Sequence, residues 1–291
     1  MEASALYSQW EHVLNEALRS VADGEAFLLI DAAQLPPDAM PWAECLRHGQ
    51  VVNVSADEPE ADYPEVCALL TRHDAAWVAA LLTHYLPRKP FAFTALVATC
   101  GQPSLVKRLA QLKRVKLPDG QQGLLRVYDA AVLQALPGVL GEANRARLLA
   151  CADAWVHLRR DGQMGCLKGN KGLTGRLVLT VQEREQLDAS TLIDRVIATL
   201  ARNGRLPEPI NPFDSYRRIT AIAQGLYPQG GVQFAPLYRC SALTAQVPLE
   251  AIQENWSEGA FSTLLEQGQG LYDAVEAWSQ ATLASVREMS I

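Results

Sequence analysis

Residues 104–162 read SLVKRLAQLKRVKLPDGQQGLLRVYDAAVLQALPGVLGEANRARLLACADAWVHLRRDG, and the changing period of their apolar positions decides the fold. Leu105, Val106, Leu109 and Leu112 recur at helical spacing, with Lys107, Arg108, Lys113 and Arg114 on the other face. Ser104, just after Pro103, has the chemistry of an N-cap. The period then shortens. Val115 and Leu117 alternate with Lys116, and Leu125 and Val127 alternate with Arg126, across Pro118-Asp119-Gly120. An Asp-Gly pair between alternating runs predicts a hairpin, and Gln121-Gln122-Gly123 makes its loop longer than two residues. A second helix is predicted from Asp129, with Val132, Leu133, Leu136 and Leu140 on one side and Pro137 kinking or stopping it. The unit is helix, hairpin, helix.

Upstream, residues 4–22 carry an amphipathic helix pattern with Gly24 as its C-terminal signal. Phe27-Leu28-Leu29-Ile30 reads as a buried strand ending at Asp31, followed by a short helix near Trp42 and a strand at 50–54. An acidic loop at 57–62, a helix at 73–85 and a strand at 91–99 complete an α/β N-terminal lobe, a mixed, partly parallel sheet flanked by helices. Downstream, 143–154 reads as helix, Trp155-Val156-His157-Leu158 as strand and Arg159-Arg160-Asp161-Gly162 as turn. The glycine- and lysine-rich run at 163–175 reads as a linker or hairpin loop, placing domains at 1–175 and 176–291. The second domain is expected to be all-α. Thr180 and Glu183 fit a capping box, and Leu192, Ile193, Val196, Ile197 and Leu200 form a stripe before Asn203-Gly204. Asp214 is the expected cap of a helix through Leu226, with further helices at 234–247, 249–254, 261–267 and 271–289.

Charge is unevenly placed. Residues 86–176 hold 15 Lys+Arg against 5 Asp+Glu, whereas 1–85 hold 3 against 14 and 177–291 hold 8 against 13. A basic centre between acidic flanks fits docking of an acidic protein, compensation within the chain, or a nucleic-acid surface. Net charge of -6 and the lack of a nucleic-acid motif count against the last. No apolar run reaches the ~20 residues of a membrane helix, and no basic-then-apolar leader is seen. The 6 scattered cysteines form no CxxC pair, so reduced thiols and a cytoplasmic location are expected.

Motifs for chemistry are lacking. There is no HExxH, GxSxG, GxGxxG or Ca²⁺-loop pattern, and the lysines of 163–175 are each followed by glycine, against the phosphate-loop order. Neither metal nor cofactor is expected. One enzymatic alternative, a small hydrolase or transferase, would use Cys100 with His157. Those side chains should then converge in a pocket.

The ordered series resembles the effector-adaptor family of bacterial type VI secretion, the Tap or Tec chaperones long filed as a domain of unknown function. It comprises the basic helix Leu105 to Lys113, Val115-Lys116-Leu117-Pro118-Asp119-Gly120, Leu125-Arg126-Val127-Tyr128-Asp129, Val132-Leu133, and Trp155 through Asp161-Gly162. The strand ending in Asp31 also matches, and the likeness spans 26–162. Val127 stands where the family has an aromatic, Ala130-Ala131 where Pro-Arg is usual, and Ala154 where a second tryptophan is common. The resemblance implies a cytoplasmic, non-enzymatic adaptor. Its partners would be a cognate secreted effector and the spike protein of the secretion tube, with no nucleic acid and no membrane. Lys107, Arg108, Lys113, Arg114, Arg159 and Arg160 are the expected partner-binding cations. Pro118, Asp119, Gly120, Arg126, Tyr128, Asp129, Trp155, Asp161 and Gly162 are expected to hold the fold.

Overall fold

The run Phe27–Ile30 becomes the middle of a six-stranded sheet. In the computed structural model, residues 3–54, 56, 63, 67–172, 174–206, 211–227, 231–256 and 270–288 are described. They divide into two units, Met1–Asp188 and Ala189–Ile291. The first unit runs α1 (Ala3–Arg19), β1 (Glu25–Asp31), α2 (Trp42–Arg47), β2 (Val52–Asn53), β3 (Ala68–Arg72), α3 (Ala76–Tyr85) and β4 (Phe93–Ala98). It continues with α4 (Gln102–Lys113), β5 (Arg114–Lys116), β6 (Gln122–Leu124), α5 (Ala130–Val139), α6 (Glu142–Leu149), β7 (Ala154–Leu158), β8 (Met164–Lys168) and α7 (Val181–Ser190).

Strand order is β2-β3-β1-β4-β7-β8, and every neighbouring pair is antiparallel. The α/β lobe flanked by helices therefore forms, but the expected parallel pairing does not. The cause is β3, whose Ala68-Leu69-Leu70 lacks alternation and reads equally well as helix or loop. With β3 inserted beside β1, both neighbours of β1 run against it.

Alternate side chains divide the core. Phe27, Leu29, Leu70, Leu96 and Trp155 pack with Leu105, Leu109 and Leu112 of α4, Leu133 and Leu136 of α5, and Leu148 of α6. The opposite face, with Leu28, Ile30, Leu69, Ala95 and Val156 buried, is crossed by α1, which touches β1, β4, β7, β8 and α3. Leu6, Trp10 and Leu14 are the buried stripe of that helix.

Several local expectations shift. Helix α4 begins before Ser104, with Gly101 as its cap and its carbonyl accepting from the Ser104 and Leu105 N–H groups. The second hairpin strand is Gln122–Leu124; Leu125 and Val127 lie beyond it, buried in the connection to α5. Pro137 falls inside the last turn of α5, and that helix stops at Val139. Residues 164–168 are a sheet strand and no linker. Asn211, not Asp214, caps the helix that follows, accepting from the Phe213 and Asp214 N–H groups at 3.0 and 3.2 Å. The helix expected at 261–267 and the acidic loop at 57–62 lie outside the described residues.

Residues 176–188 group with the first unit, past the expected boundary at 175. Leu177 and Leu179 are buried in its core, and Lys116 exchanges backbone hydrogen bonds of 2.9 Å with both. The capping box forms as the sequence predicts. Glu183 N–H donates to Thr180 Oγ1 (3.2 Å) and Thr180 N–H to Glu183 Oε2 (2.7 Å). Glu183 also accepts from Gly141 N–H (2.8 Å) and the Asn144 amide (3.0 Å), binding α7 to the start of α6.

The second unit comprises α8 (Leu192–Arg202), α9 (Pro212–Leu226), α10 (Phe234–Leu243), α11 (Leu249–Asn255) and α12 (Leu271–Glu288). Val196, Leu200, Ile219, Ile222, Leu237, Cys240, Ile252 and Val275 form its core around Trp256. Trp256 Nε1 donates to the Ile222 carbonyl (3.1 Å), and its ring meets Trp278 edge to face. A Cβ on Gly225 would lie 2.1 Å from that ring, so α9 has a glycine there.

Burial opposes the charge of Glu183, yet hydrogen bonds from Thr180, Asn144 and Gly141 hold its pKa below the ordinary value. Replacing Glu183 by Ala should cost about 1–3 kcal/mol in urea unfolding at neutral pH, because several donors lose their acceptor.

Candidate functional site

Asp31, at the end of the central strand, is a fully buried carboxylate. Its ion partner is Arg126, 95 residues along the chain in the connection leaving the hairpin. Gln34 adds an amide hydrogen bond to Asp31 at 2.8 Å. Arg126 also lies 3.8 Å from Asp129 and over the Tyr128 ring at 5.8 Å. Asp129 in turn caps α5, accepting from the Ala131 N–H at 3.0 Å. Burial works against the guanidinium charge, but Asp31 foremost and then Asp129 hold its pKa above the usual value. This cluster fastens the hairpin and α5 to the sheet.

The other motif residues are also spent on geometry. Leu117-Pro118-Asp119-Gly120 closes with Gly120 N–H donating to the Leu117 carbonyl (2.9 Å), and Gly120 takes φ +84°. Asp119 accepts from Gln121 N–H at 3.0 Å, bracing the four-residue turn that the left-handed glycine closes. Asp161 does the same for Gln163 at 3.0 Å, and Gly162 has φ +83°. Trp155 is fully buried in the face under α4 and α5, and Tyr128 is buried with it.

The six expected cations do not share one surface. Lys107 and Arg159 are exposed and Arg114 is half-buried, whereas Lys113 and Arg160 are buried, at 0% and 6% exposure. Arg159 pairs with Asp161 at 2.7 Å. Arg108 reaches the carbonyls of Ala150 and Cys151 at 3.4 and 3.3 Å, closing the C-terminal end of α6. Of the six, Lys107 and Arg159 are therefore open to solvent, and Arg108 and Arg114 are partly so.

Cys100 and His157 do not meet. His157 lies opposite Thr94, six residues back from Cys100, or roughly 20 Å along a strand at 3.3 Å per residue. Cys100 lies instead near Cys151, whose thiol burial pushes up. His157 is buried, with its ring over Gly165, where a Cβ would come within 2.9 Å. Burial lowers its pKa to about 4. Among the described residues, no three His, Cys, Asp or Glu gather as metal ligands would.

The sequence reading passed over one feature. A cleft of about 900 Å³ lies between the C-terminal half of α1 and the β8 end of the sheet. Val13, Ala17 and Val21 form one wall, and Cys166, Lys168 and Lys171 part of the other. The signal was present in the glycine- and lysine-rich run that read as a linker.

Residues 26–147 match the family model described as "Domain of unknown function (DUF4123)". The match runs from β1 into α6 and so includes both Asp31 and Arg126. No curated protein and no solved structure matches the chain. No helix among the described residues is long and apolar enough to cross a membrane.

Replacing Arg126 by Met should destabilise the first unit by about 2–4 kcal/mol, discounted from a fully buried pair because the guanidinium is 42% exposed. Asp31→Asn in the same chain should recover part of that loss, as a double-mutant cycle by urea titration would show. The His157 prediction concerns acid. Its folded pKa lies below its unfolded one, so the unfolded chain takes up the proton first as pH falls. Its contribution to stability is complete above ~6.5 and declines toward pH 4 by about 3 kcal/mol. Replacing it by Leu should flatten that part of the pH–stability curve in urea titrations.

Proposed function

We propose that this chain is a non-enzymatic cytoplasmic adaptor that binds a toxic effector of type VI secretion and helps load it onto the spike protein. The reading rests on one coincidence. The segment matching the family model holds most of the motif series by which the chain resembles the secretion adaptors, and the buried Asp31–Arg126 pair joins that series' first element to its centre. The motif side chains are occupied in turns, caps and core, which leaves the exposed surface for recognition. A stable complex of this kind needs about 800 Å² from each partner. The exposed cations Lys107 and Arg159, with Arg114 half-buried, would steer an acidic partner and set its encounter rate. The separation of Cys100 from His157 removes the one enzymatic pair the sequence offered.

The test is co-expression with each product of the genes that flank this chain's own, followed by affinity purification. A complex should form, and Lys107→Glu with Arg114→Glu should weaken it about tenfold, mainly through slower association, with little change in melting temperature. Failure of every pair to co-purify would refute the adaptor reading. Lys113 is unsuitable for the test, since its buried position makes any charge reversal there a folding defect.

A further inference from the structure

The sheet ends at β8, and the hydrogen-bond pattern shows which of its groups are uncommitted. At one end of the β7–β8 ladder Arg159 N–H donates to the Gln163 carbonyl, and at the other Gly169 N–H donates to the Asp153 carbonyl, both at 2.8 Å. The register between them pairs His157 with Gly165 and Trp155 with Leu167. Bonded residues alternate along an antiparallel ladder, so Gly165 and Leu167 turn their backbone groups toward β7. Met164, Cys166 and Lys168 turn theirs outward, where no strand lies among the described residues. Their N–H and C=O groups are a template for one more strand.

The surroundings specify that strand. Side chains at 166 and 168 lie on the cleft side of the sheet, beside Val13, Ala17 and Val21. Lys168 and Lys171 line the cleft and form no ion pair among the described residues. The cleft's carboxylates are partly engaged, Asp153 by the Thr99 N–H and hydroxyl at 2.8 and 3.0 Å, Glu16 by His12 at 3.4 Å. Beyond β8 the chain is held in place, because Asn170 N–H caps the Leu149 carbonyl at the end of α6 that Arg108 also closes. We infer that β8 is a strand-addition site: an extended segment of the effector pairs with its outer edge, placing every second side chain in the cleft. Lys168 and Lys171 select carboxylates there, and the α1 wall selects small apolar groups. This inference rests on the adaptor reading and adds to it where and how the effector is held.

The residue at the centre of the edge provides a reporter. Cys166 is the exposed thiol among six free cysteines; four are buried and Cys100 is half-buried. The experiment uses the full chain, free and in complex with the flanking-gene product that co-purifies with it. Alkylation of Cys166, followed by mass spectrometry, should slow at least tenfold in the complex. Amide exchange should slow at residues 164, 166 and 168, while 165 and 167, already bonded to β7, change little. Cys166→Pro removes an outward N–H and leaves the β7 ladder intact, so it should weaken binding at least tenfold where Cys166→Ser does not. The exchange pattern decides the matter should the proline variant fail to fold. A complex that leaves Cys166 and these amides as reactive as in the free chain overturns strand addition but keeps the adaptor. A free chain that dimerises and already protects them would assign the edge to a second copy and overturn the effector as occupant. No complex at all refutes the adaptor reading and this inference with it.

Discussion

A carboxylate sealed at the end of a central strand needs a cation, and the fold is arranged to supply one. Asp31 has no exposure, and the arginine that reaches it comes from 95 residues away. An ion left alone in such a place costs several kcal/mol, so conformations that withdraw Arg126 are strongly penalised. Arg126 is also the neighbour of Asp129, whose carboxylate starts α5. One guanidinium therefore sets the end of β1, the exit of the hairpin and the first turn of a helix. Hydrophobic burial drives these parts together, but it is non-directional. The ion pair adds the directional constraint on how the hairpin and α5 lie on the sheet.

Much of this was legible in the sequence. The helix–hairpin–helix order, the capping box at Thr180 and Glu183, and the helical character of the second unit follow from local period and turn chemistry. Strand pairing was harder to read. Ala68-Leu69-Leu70 carries no alternation, and its omission changed the inferred direction of the sheet. The run 163–175 looked like a linker because glycine and lysine are poor strand formers. Yet Gly165 is required by the His157 ring above it, and Gly169 by the Ala152 carbonyl, 2.0 Å from where a Cβ would stand. Composition read these glycines as flexibility, whereas here they mark close approach.

Charge was the least legible property. A count of cations in the centre of the chain does not distinguish those facing solvent from those spent on structure. Lys113 and Arg160 are inside, and Arg108 closes a helix end. Helical spacing placed Lys113 on the polar side of α4, but the chain turns into β5 at the next residue and folds the lysine inward. Where one element ends against another, periodicity no longer predicts exposure. Lys168 and Lys171 stand out in the sequence, but their place in the fold does not. Nothing local marks a lysine as the rim of a cleft until the distant α1 closes the other side.

The same features that made β8 hard to recognise explain why it remains an edge. The opposite edge, β2, is two residues long and presents little to pair with. Strand β8 is five residues long, with a glycine at its second position and one lysine at its end. An adaptor must hold its cargo and then surrender it. Backbone hydrogen bonds suit that demand, since each is worth only about 1 kcal/mol net in exchange for water. A short edge supplies a handful of them, enough to fix register but too few to trap the strand. Selectivity would then fall to the cleft, where the proposal has the two lysines and the α1 wall discriminate by side chain. On the strand-addition proposal, the Asp31–Arg126 pair would keep the sheet in place while β8 gains and loses a partner.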